Sequence, residues 1–277
     1  MNRNIALVVT DFDGTLWSED HVIHHRSLQA MHSLLASGVI LLGATARRPG
    51  TAQTILKRHG MELPTVYFDG SLAVDLDPHS VFHIVTFDEN DATHVLGAFE
   101  AVGLEPYINV VSEDNIDCIM GSNPSTHPRH IETLRNWSRV ASLDATAATN
   151  NVLSLGLCGV ERSLLDEVAR GAKAYGEVTV SVDRQYGGFT ISVRPYGVNK
   201  WTAVEAFIAR RGITDGAVLA IGDGENDLEL LTNADVSCAV AGACQAVLNV
   251  GTYNVGPPDQ GGWAAIMDLV QRAESPG

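Results

Sequence analysis

Basic residues are few. The 277-residue chain carries 18 Lys and Arg against 33 Asp and Glu, a formal net charge of −15. No dense basic stripe exists to neutralise phosphates, which argues against nucleic acid and anionic membrane surfaces as partners. A small anionic ligand is still allowed, because a metal ion and one or two local cations reverse the sign inside a pocket. Cysteine is also rare. Cys118, Cys158, Cys238 and Cys244 form no C-x-x-C pair and have no zinc-ligand spacing, so they read as reduced, mostly buried thiols. Long apolar runs are missing as well. The N-terminal MNRNIALVVT is too short for a signal-peptide core, and nothing later reaches transmembrane length. The expectation is a soluble, cytoplasmic protein. With 45% hydrophobic and 18% charged residues, the chain suits a globular fold of one large or two modest domains.

The hydrophobic pattern sets the organisation. Ile5 to Thr10 is a short β-branched run, as in a strand buried on both faces. Leu28, Met31, Leu34 and Leu35 recur at helical spacing, and Gly38 stands where a helix end favours glycine. Val39 to Leu42 and Thr65 to Phe68 read as further strands around a helix over Thr51 to His59. The rhythm returns near the C-terminus: a helix over Asn199 to Arg211, a strand over Ala217 to Ile221, a helix from Glu225 and a strand over Val236 to Val240. Gly262 to Arg272 reads as a final helix. Such alternation predicts an α/β fold, doubly wound, with a mostly parallel, Rossmann-like core sheet. Between these halves, paired strands separated by helices predict an inserted α+β module. Residues 1–79 and 196–277 then form the discontinuous core and residues 80–195 the insert. Its first strand is Val81 to Thr86, and Ser142 to Asn151 is a loop.

Three polar segments follow predicted strands: Asp11-Phe12-Asp13-Gly14-Thr15-Leu16, Thr45, and Gly222-Asp223-Gly224-Glu225-Asn226-Asp227. Ligands of parallel α/β sheets bind outside the carboxyl ends of the strands, so the three should face one crevice. Asp11 and Asp13, packed beside Asp223 and Asp227, repel one another unless a cation sits among them. Oxygen-only ligands select a hard ion, and magnesium suits a few carboxylates completed by water and a phosphate.

The segments DFDGTL, GATAR with Thr45, GVNKWTAV with Lys200 and GDGENDLELL resemble, in order, the four motifs of the haloacid-dehalogenase-like superfamily. The fourth motif and GVNK look like the Cof-type branch, which includes sugar-phosphate phosphatases. The resemblance runs over essentially the whole chain. It implies a catalytic core and a substrate-specificity cap formed by the insert. Asp11 would be the nucleophile forming an acyl phosphate, and Asp13 the group that protonates the leaving alcohol and then activates water. Mg2+ would be held by Asp11, by the main-chain carbonyl of Asp13 and by Asp223, with Asp227 close by. Thr45 and Lys200 would hold the transferring phosphoryl oxygens. Arg47 is the preferred substrate-side arginine, and Asn226 a further phosphate or metal-shell contact. The partner implied is a small phosphorylated metabolite.

Two departures stand out. Val240-Ala241-Gly242-Ala243 replaces the relatives' Gly-Asn-Ala, and Asp69-Gly70 replaces their usual Asn-Gly. The resemblance leaves a phosphomannomutase-like mutase and a non-catalytic phosphosugar-binding protein as alternatives. Among plainer readings, Thr45 serves as a helix cap and Lys200 as a solvated helix-start lysine. His21, His24 and His25 form a hydrophilic connection, and Trp137, Trp201 and Trp263 are packing residues. Arg184 and Arg194 are candidates for contact with a substrate anion.

Overall fold

The computed structural model describes residues 4–76, 79–112, 115–125, 127–183 and 185–274. The chain falls into two compact units, 1–84 with 199–277, and 85–198. The first opens with β1 (Ile5–Thr10), where Leu7, Val8 and Val9 are all fully buried. Both faces of this strand are covered, which is why its sequence is a continuous apolar run rather than an alternation. Helix α1 (His25–Ala36) buries Ser27, Ala30, Met31 and Leu34, a stripe along one face, and His24 accepts the Arg26 N–H at its start. Strand β2 (Ile40–Ala44), helix α2 (Pro49–Arg58) and strand β3 (Thr65–Tyr67) follow, α2 opening on a proline that needs no hydrogen-bond partner there. Strands β4 (Leu72–Leu76) and β5 (His79–Ile84) complete this part.

The second unit holds α3 (Glu89–Glu100), β6 (Tyr107–Ser112), β7 (Asn115–Met120), α4 (Pro128–Trp137), β8 (Arg139–Val140) and α5 (Leu143–Ala147). It continues with β9 (Val152–Val160), α6 (Arg162–Ala172), β10 (Glu177–Val182) and β11 (Phe189–Arg194). Its sheet runs β10-β11-β9-β6-β7-β8 and is antiparallel except for the short β7–β8 pairing. Val95 and Phe99 of α3 and Leu165 and Val168 of α6 join Leu155, Leu157, Ile191 and Val193 in one apolar cluster. The Ser142 to Asn151 stretch is not all loop. Ser142 Oγ accepts the Ala145 N–H (3.2 Å) and starts α5, a helix too short to leave a periodic signal. Trp137 is 46% exposed, and Arg184 lies outside the described residues. Arg194 is buried, its Nε donating to Val198 O and Nη1 to Thr179 Oγ1.

His130 gives this unit a pH dependence. It is 3% exposed, its Nδ1 lies 3.0 Å from Ser125 Oγ, and its ring packs on Tyr186. Burial drives its pKa down to about 4, against a partial opposing pull from Asp183. The folded state therefore prefers neutral imidazole, and the unfolded state binds the extra proton between pH 6.5 and 4. Stability falls as pH falls through that window, by up to about 3 kcal/mol. Hydrogen exchange along α4 should accelerate on going from pH 7 to 4.5, after correction for the intrinsic rate, and His130→Gln should remove most of that change.

The chain returns to the first unit with α7 (Lys200–Arg211), β12 (Ala217–Gly222), α8 (Leu228–Asn233), β13 (Val236–Val240), α9 (Gln245–Val250), β14 (Tyr253–Val255) and α10 (Ile266–Glu274). The eight-stranded sheet runs β14-β13-β12-β1-β2-β3-β4-β5. It is parallel from β14 to β3, and β4 and β5 add antiparallel pairings. The first strand expected in the insert thus pairs within this sheet. β4 escaped the sequence pattern because Asp75 interrupts it like a turn residue. In the fold Asp75 is fully buried, and Arg210 and Arg211 at the end of α7 both donate to it. Removing the carboxylate with Asp75→Ala takes a shared acceptor from two half-buried guanidinium groups, of which Arg210 keeps its bond to Ser80 Oγ. The substitution is expected to cost about 2 kcal/mol in a denaturant titration. A loss close to zero would mean that solvent replaces the pairing without penalty.

Candidate active site

The carboxyl ends of β1 and β12 lie side by side, since Thr10 pairs with Ile221 in a parallel register. Asp11 follows β1 directly, with its main-chain N–H bonded to Ile221 O (3.0 Å). Asp223 follows β12, and Asp227 comes one turn later. Gly222 is required at this corner, because a Cβ there would fall 2.5 Å from Asp227 Cγ. Asp227 is locked from both sides. Its Oδ2 accepts the N–H groups of Asp223 and Gly224 at 3.0 Å each, and its Oδ1 accepts Lys200 Nζ at 2.7 Å.

Lys200 is the first residue of α7. Asn199 caps that helix by accepting the Thr202 N–H, while the Thr202 hydroxyl accepts the Asn199 N–H. The Lys200 side chain has no exposed surface, which rules out the solvated-lysine reading. Its ammonium bonds Asp11 Oδ1 and Asp227 Oδ1, both at 2.7 Å, with Asp69 Oδ1 at 4.0 Å. Burial works against the ammonium, yet Asp11, Asp227 and Asp69 outweigh it and raise the Lys200 pKa above its ordinary value. Burial likewise lifts Asp11 well above the usual carboxylate range. Lys200 opposes that rise, and Asp227, Asp223 and Asp13 add to it.

Asp11, Asp223 and Asp227 are buried, and each offers a ligand oxygen within 4.8 Å of the others. One ammonium does not balance three carboxylates. The oxygen-only donor set therefore fits a hard divalent cation. Asp227 would supply a ligand only by giving up part of its lock, whereas Asp223 Oδ1 is held by the Thr15 hydroxyl (2.8 Å) as an oriented donor.

Asp13 is oriented differently from Asp11. Its carboxylate is 44% exposed and lies in the fork of Arg47, with Nε to Oδ2 at 2.6 Å and Nη2 to Oδ1 at 2.7 Å. Trp17 Nε1 also donates to Oδ1, at 2.9 Å. Desolvation alone would raise the Asp13 pKa, but the Arg47 guanidinium and the Trp17 N–H more than offset it, and Asp13 is held below the usual carboxylate range. Its carboxylate is not part of the three-aspartate cluster, and only the main-chain carbonyl was expected to serve a metal.

Thr45 follows β2, is buried, and accepts the Arg47 N–H on Oγ1 (3.1 Å). It is not the cap of α2, whose cap position is Arg48. Asn226 donates through Nδ2 to Asp69 Oδ1 (2.8 Å). Asp69 itself donates its N–H to Thr45 O and has a left-handed backbone, φ 52°. Gly70 follows at φ 118°, and a Cβ there would collide with the Asn199 carbonyl. The Asp69-Gly70 turn thus joins the end of β2 to the start of α7. The sequence marked it only as a departure from a family pattern. His21 and Trp17 carried no signal that tied them to the aspartates.

A family profile of haloacid dehalogenase-like hydrolases matches residues 8–267. The chain belongs to that family. Within it, the chain is similar to the 5-amino-6-(5-phospho-D-ribitylamino)uracil phosphatase YbjI of Escherichia coli, 23% identical over 99% of this chain and 98% of that protein. It is also similar to a phosphoglycolate phosphatase of Methanopyrus kandleri, 26% identical over 88% of both chains. Among solved structures, the HAD subclass IIB sugar phosphatase BT4131 superposes with a TM-score of 0.76 at 20% identity, over 96% of this chain and 98% of that one. A HAD/COF-like hydrolase of Plasmodium vivax gives 0.78 at 18% identity, over 98% and 96%. These likenesses place the chain in the haloacid dehalogenase-like fold of the Cof type. This hydrolase has, among its described residues, no helix long and apolar enough to cross a membrane.

Proposed function

We propose that this haloacid dehalogenase-like hydrolase is a magnesium-dependent phosphatase acting on a small phosphomonoester of the sugar-phosphate kind, through an aspartyl phosphate on Asp11. One observation carries the reading: buried Lys200 bridges Asp11 Oδ1 and Asp227 Oδ1, with Asp223 beside them, at the carboxyl ends of β1 and β12. The phosphatase names of the relatives support the same reaction class.

Asp11 and Asp223 would hold the ion, with the Asp13 carbonyl as a third donor and Asp227 bracketing Lys200. When bound, magnesium supplies positive charge that offsets repulsion between the carboxylates and the phosphate. Lys200 already engages Asp11 Oδ1, so Oδ2 is the oxygen that attacks phosphorus. The bond from phosphorus to the ester oxygen breaks, the electron pair leaves with that oxygen, and Asp13 delivers the proton it needs. The proton rides on one Asp13 oxygen while Arg47 keeps its hold on the other. Water then attacks the aspartyl phosphate, Asp13 takes the water proton, and the acyl phosphate bond breaks to restore Asp11 and free phosphate. Thr45 and Lys200 steady the transferring oxygens, and Asn226, held by Asp69, stands by as a further contact. The inserted unit is assigned the choice of ester.

The test is release of inorganic phosphate from a panel of sugar phosphates with magnesium, repeated in chelator. Turnover that chelator abolishes, together with hydroxylamine trapping of a phosphorylated chain, is the expected result. Magnesium-independent hydrolysis would refute the metal assignment. An isomerised sugar phosphate without free phosphate would refute the phosphatase reading in favour of a mutase.

A further inference from the structure

We propose that His21 is a positioning residue for the reaction: it holds Arg47 in the orientation that clamps Asp13. The inference rests on the phosphatase reading above. Three observations support it. First, His21 Nε2 lies 2.7 Å from Arg47 Nη2, the same nitrogen that donates to Asp13 Oδ1. A guanidinium has no acceptor, so the His21 Nε2 must accept, and the neutral ring carries its proton on Nδ1. Second, His21 takes a left-handed backbone conformation, φ 58°, which a residue other than glycine adopts only when its surroundings enforce it.

Third, those surroundings are built. The His21 N–H donates to Ser18 O (2.9 Å), closing a turn, and Trp17 and Ile23 pair as an antiparallel bridge across it. His59, following α2, sets its Nε2 3.1 Å from His21 O and 3.3 Å from the Ile23 main-chain nitrogen. Trp17 lies at the base of this turn, fully buried, and donates to Asp13 Oδ1, the oxygen that Arg47 Nη2 also reaches. The segment from Trp17 to Ile23 therefore presents an acceptor to one edge of the Arg47 guanidinium. Without it, Arg47 loses one of the contacts that orient its guanidinium, and the fork on the two Asp13 oxygens is held less firmly. A carboxylate that must meet a leaving oxygen within hydrogen-bond reach depends on that alignment.

The consequence is specific to esters that need a proton. An alkyl phosphate cannot release its alcohol without one, whereas p-nitrophenyl phosphate releases an anion stable enough to leave unaided. We compare kcat/KM, which covers steps only through departure of the leaving group, for the two esters. His21→Asn suits the test, because asparagine tolerates left-handed backbone but is too short to reach Arg47. It should lower kcat/KM for the alkyl ester about tenfold more than for the aryl ester. His21→Gln, whose side-chain oxygen reaches Arg47 as an acceptor, should restore most of the alkyl-to-aryl ratio. Nitrogen-15 spectra of the wild-type ring provide a readout independent of turnover, and should report the Nδ1-protonated tautomer. An unchanged ratio in both variants, or an Nε2-protonated ring, overturns the role of His21 and leaves the phosphatase reading standing. A wild-type chain that cleaves neither ester removes both.

Discussion

Asp11→Asn is expected to reduce phosphate release by at least about a thousandfold while leaving the protein folded, and in chelator no less stable than the wild type. The two halves of this expectation have one origin. Burial and the neighbouring Asp227 and Asp223 push Asp11 well above the ordinary carboxylate range, despite Lys200. A carboxyl whose folded pKa is raised binds its proton more readily in the folded chain than in the unfolded one. It favours folding at low pH, and that advantage disappears as pH rises through the folded value. Above the ordinary aspartate range the shifted group therefore contributes less to folding in chelator, and an amide of the same shape removes that loss. The check is a pair of measurements on one preparation, single-turnover phosphate release and a melting curve at pH 7 in chelator. Wild-type turnover in the variant would dismiss Asp11 as the nucleophile. A collapsed melting curve would mean that the Lys200 bond to Asp11 contributes more than the repulsion it offsets.

Lys200→Met should act in the opposite direction on stability and abolish turnover as well. The ammonium is the cation that touches both Asp11 and Asp227, and Asp69 lies 4.0 Å away. Removing one partner of a buried, hydrogen-bonded charge cluster leaves the carboxylates uncompensated, at a cost of about 3–5 kcal/mol. Denaturant titration in chelator measures this loss. Two further outcomes are expected. Magnesium should recover part of the lost stability in the variant, by mass action on the folded form. A second substitution, Asp227→Asn, should recover part of it without metal, because it removes one of the stranded charges. A single variant as stable as the wild type would show that water enters the cluster and screens it.

The parallel strands of the sheet were legible because burial on both faces leaves no room for polar alternation, as in Ile5–Thr10 and Val236–Val240. The aspartates were legible for a related reason. Each follows such a strand, and a parallel register carries those ends to one edge. What the sequence hid depends on partners distant along the chain. Asp75 reads as a strand breaker until two arginines 135 and 136 residues away meet it. His21 reads as part of a polar connection until a left-handed turn aims its ring at Arg47. Short helices such as α5 and α9 span fewer than two turns, too little for a period to emerge from the pattern. Lys200 was placed by resemblance alone, and Thr45 by its position after a strand as well as by resemblance. Neither side chain, in its local sequence, distinguishes a buried contact from a solvated one.

The pairing of β1 with β12 has a consequence for biosynthesis. The register joins Leu7 to Val218 and Val9 to Ala220, so neighbouring central strands are made more than two hundred residues apart. A ribosome releases β1 long before its partner exists, and the apolar run from Ile5 to Thr10 must wait with one edge open. The intervening unit, 85–198, is continuous in sequence and has its own apolar cluster. It can therefore mature first, while that edge of β1 stays unpaired until β12 emerges.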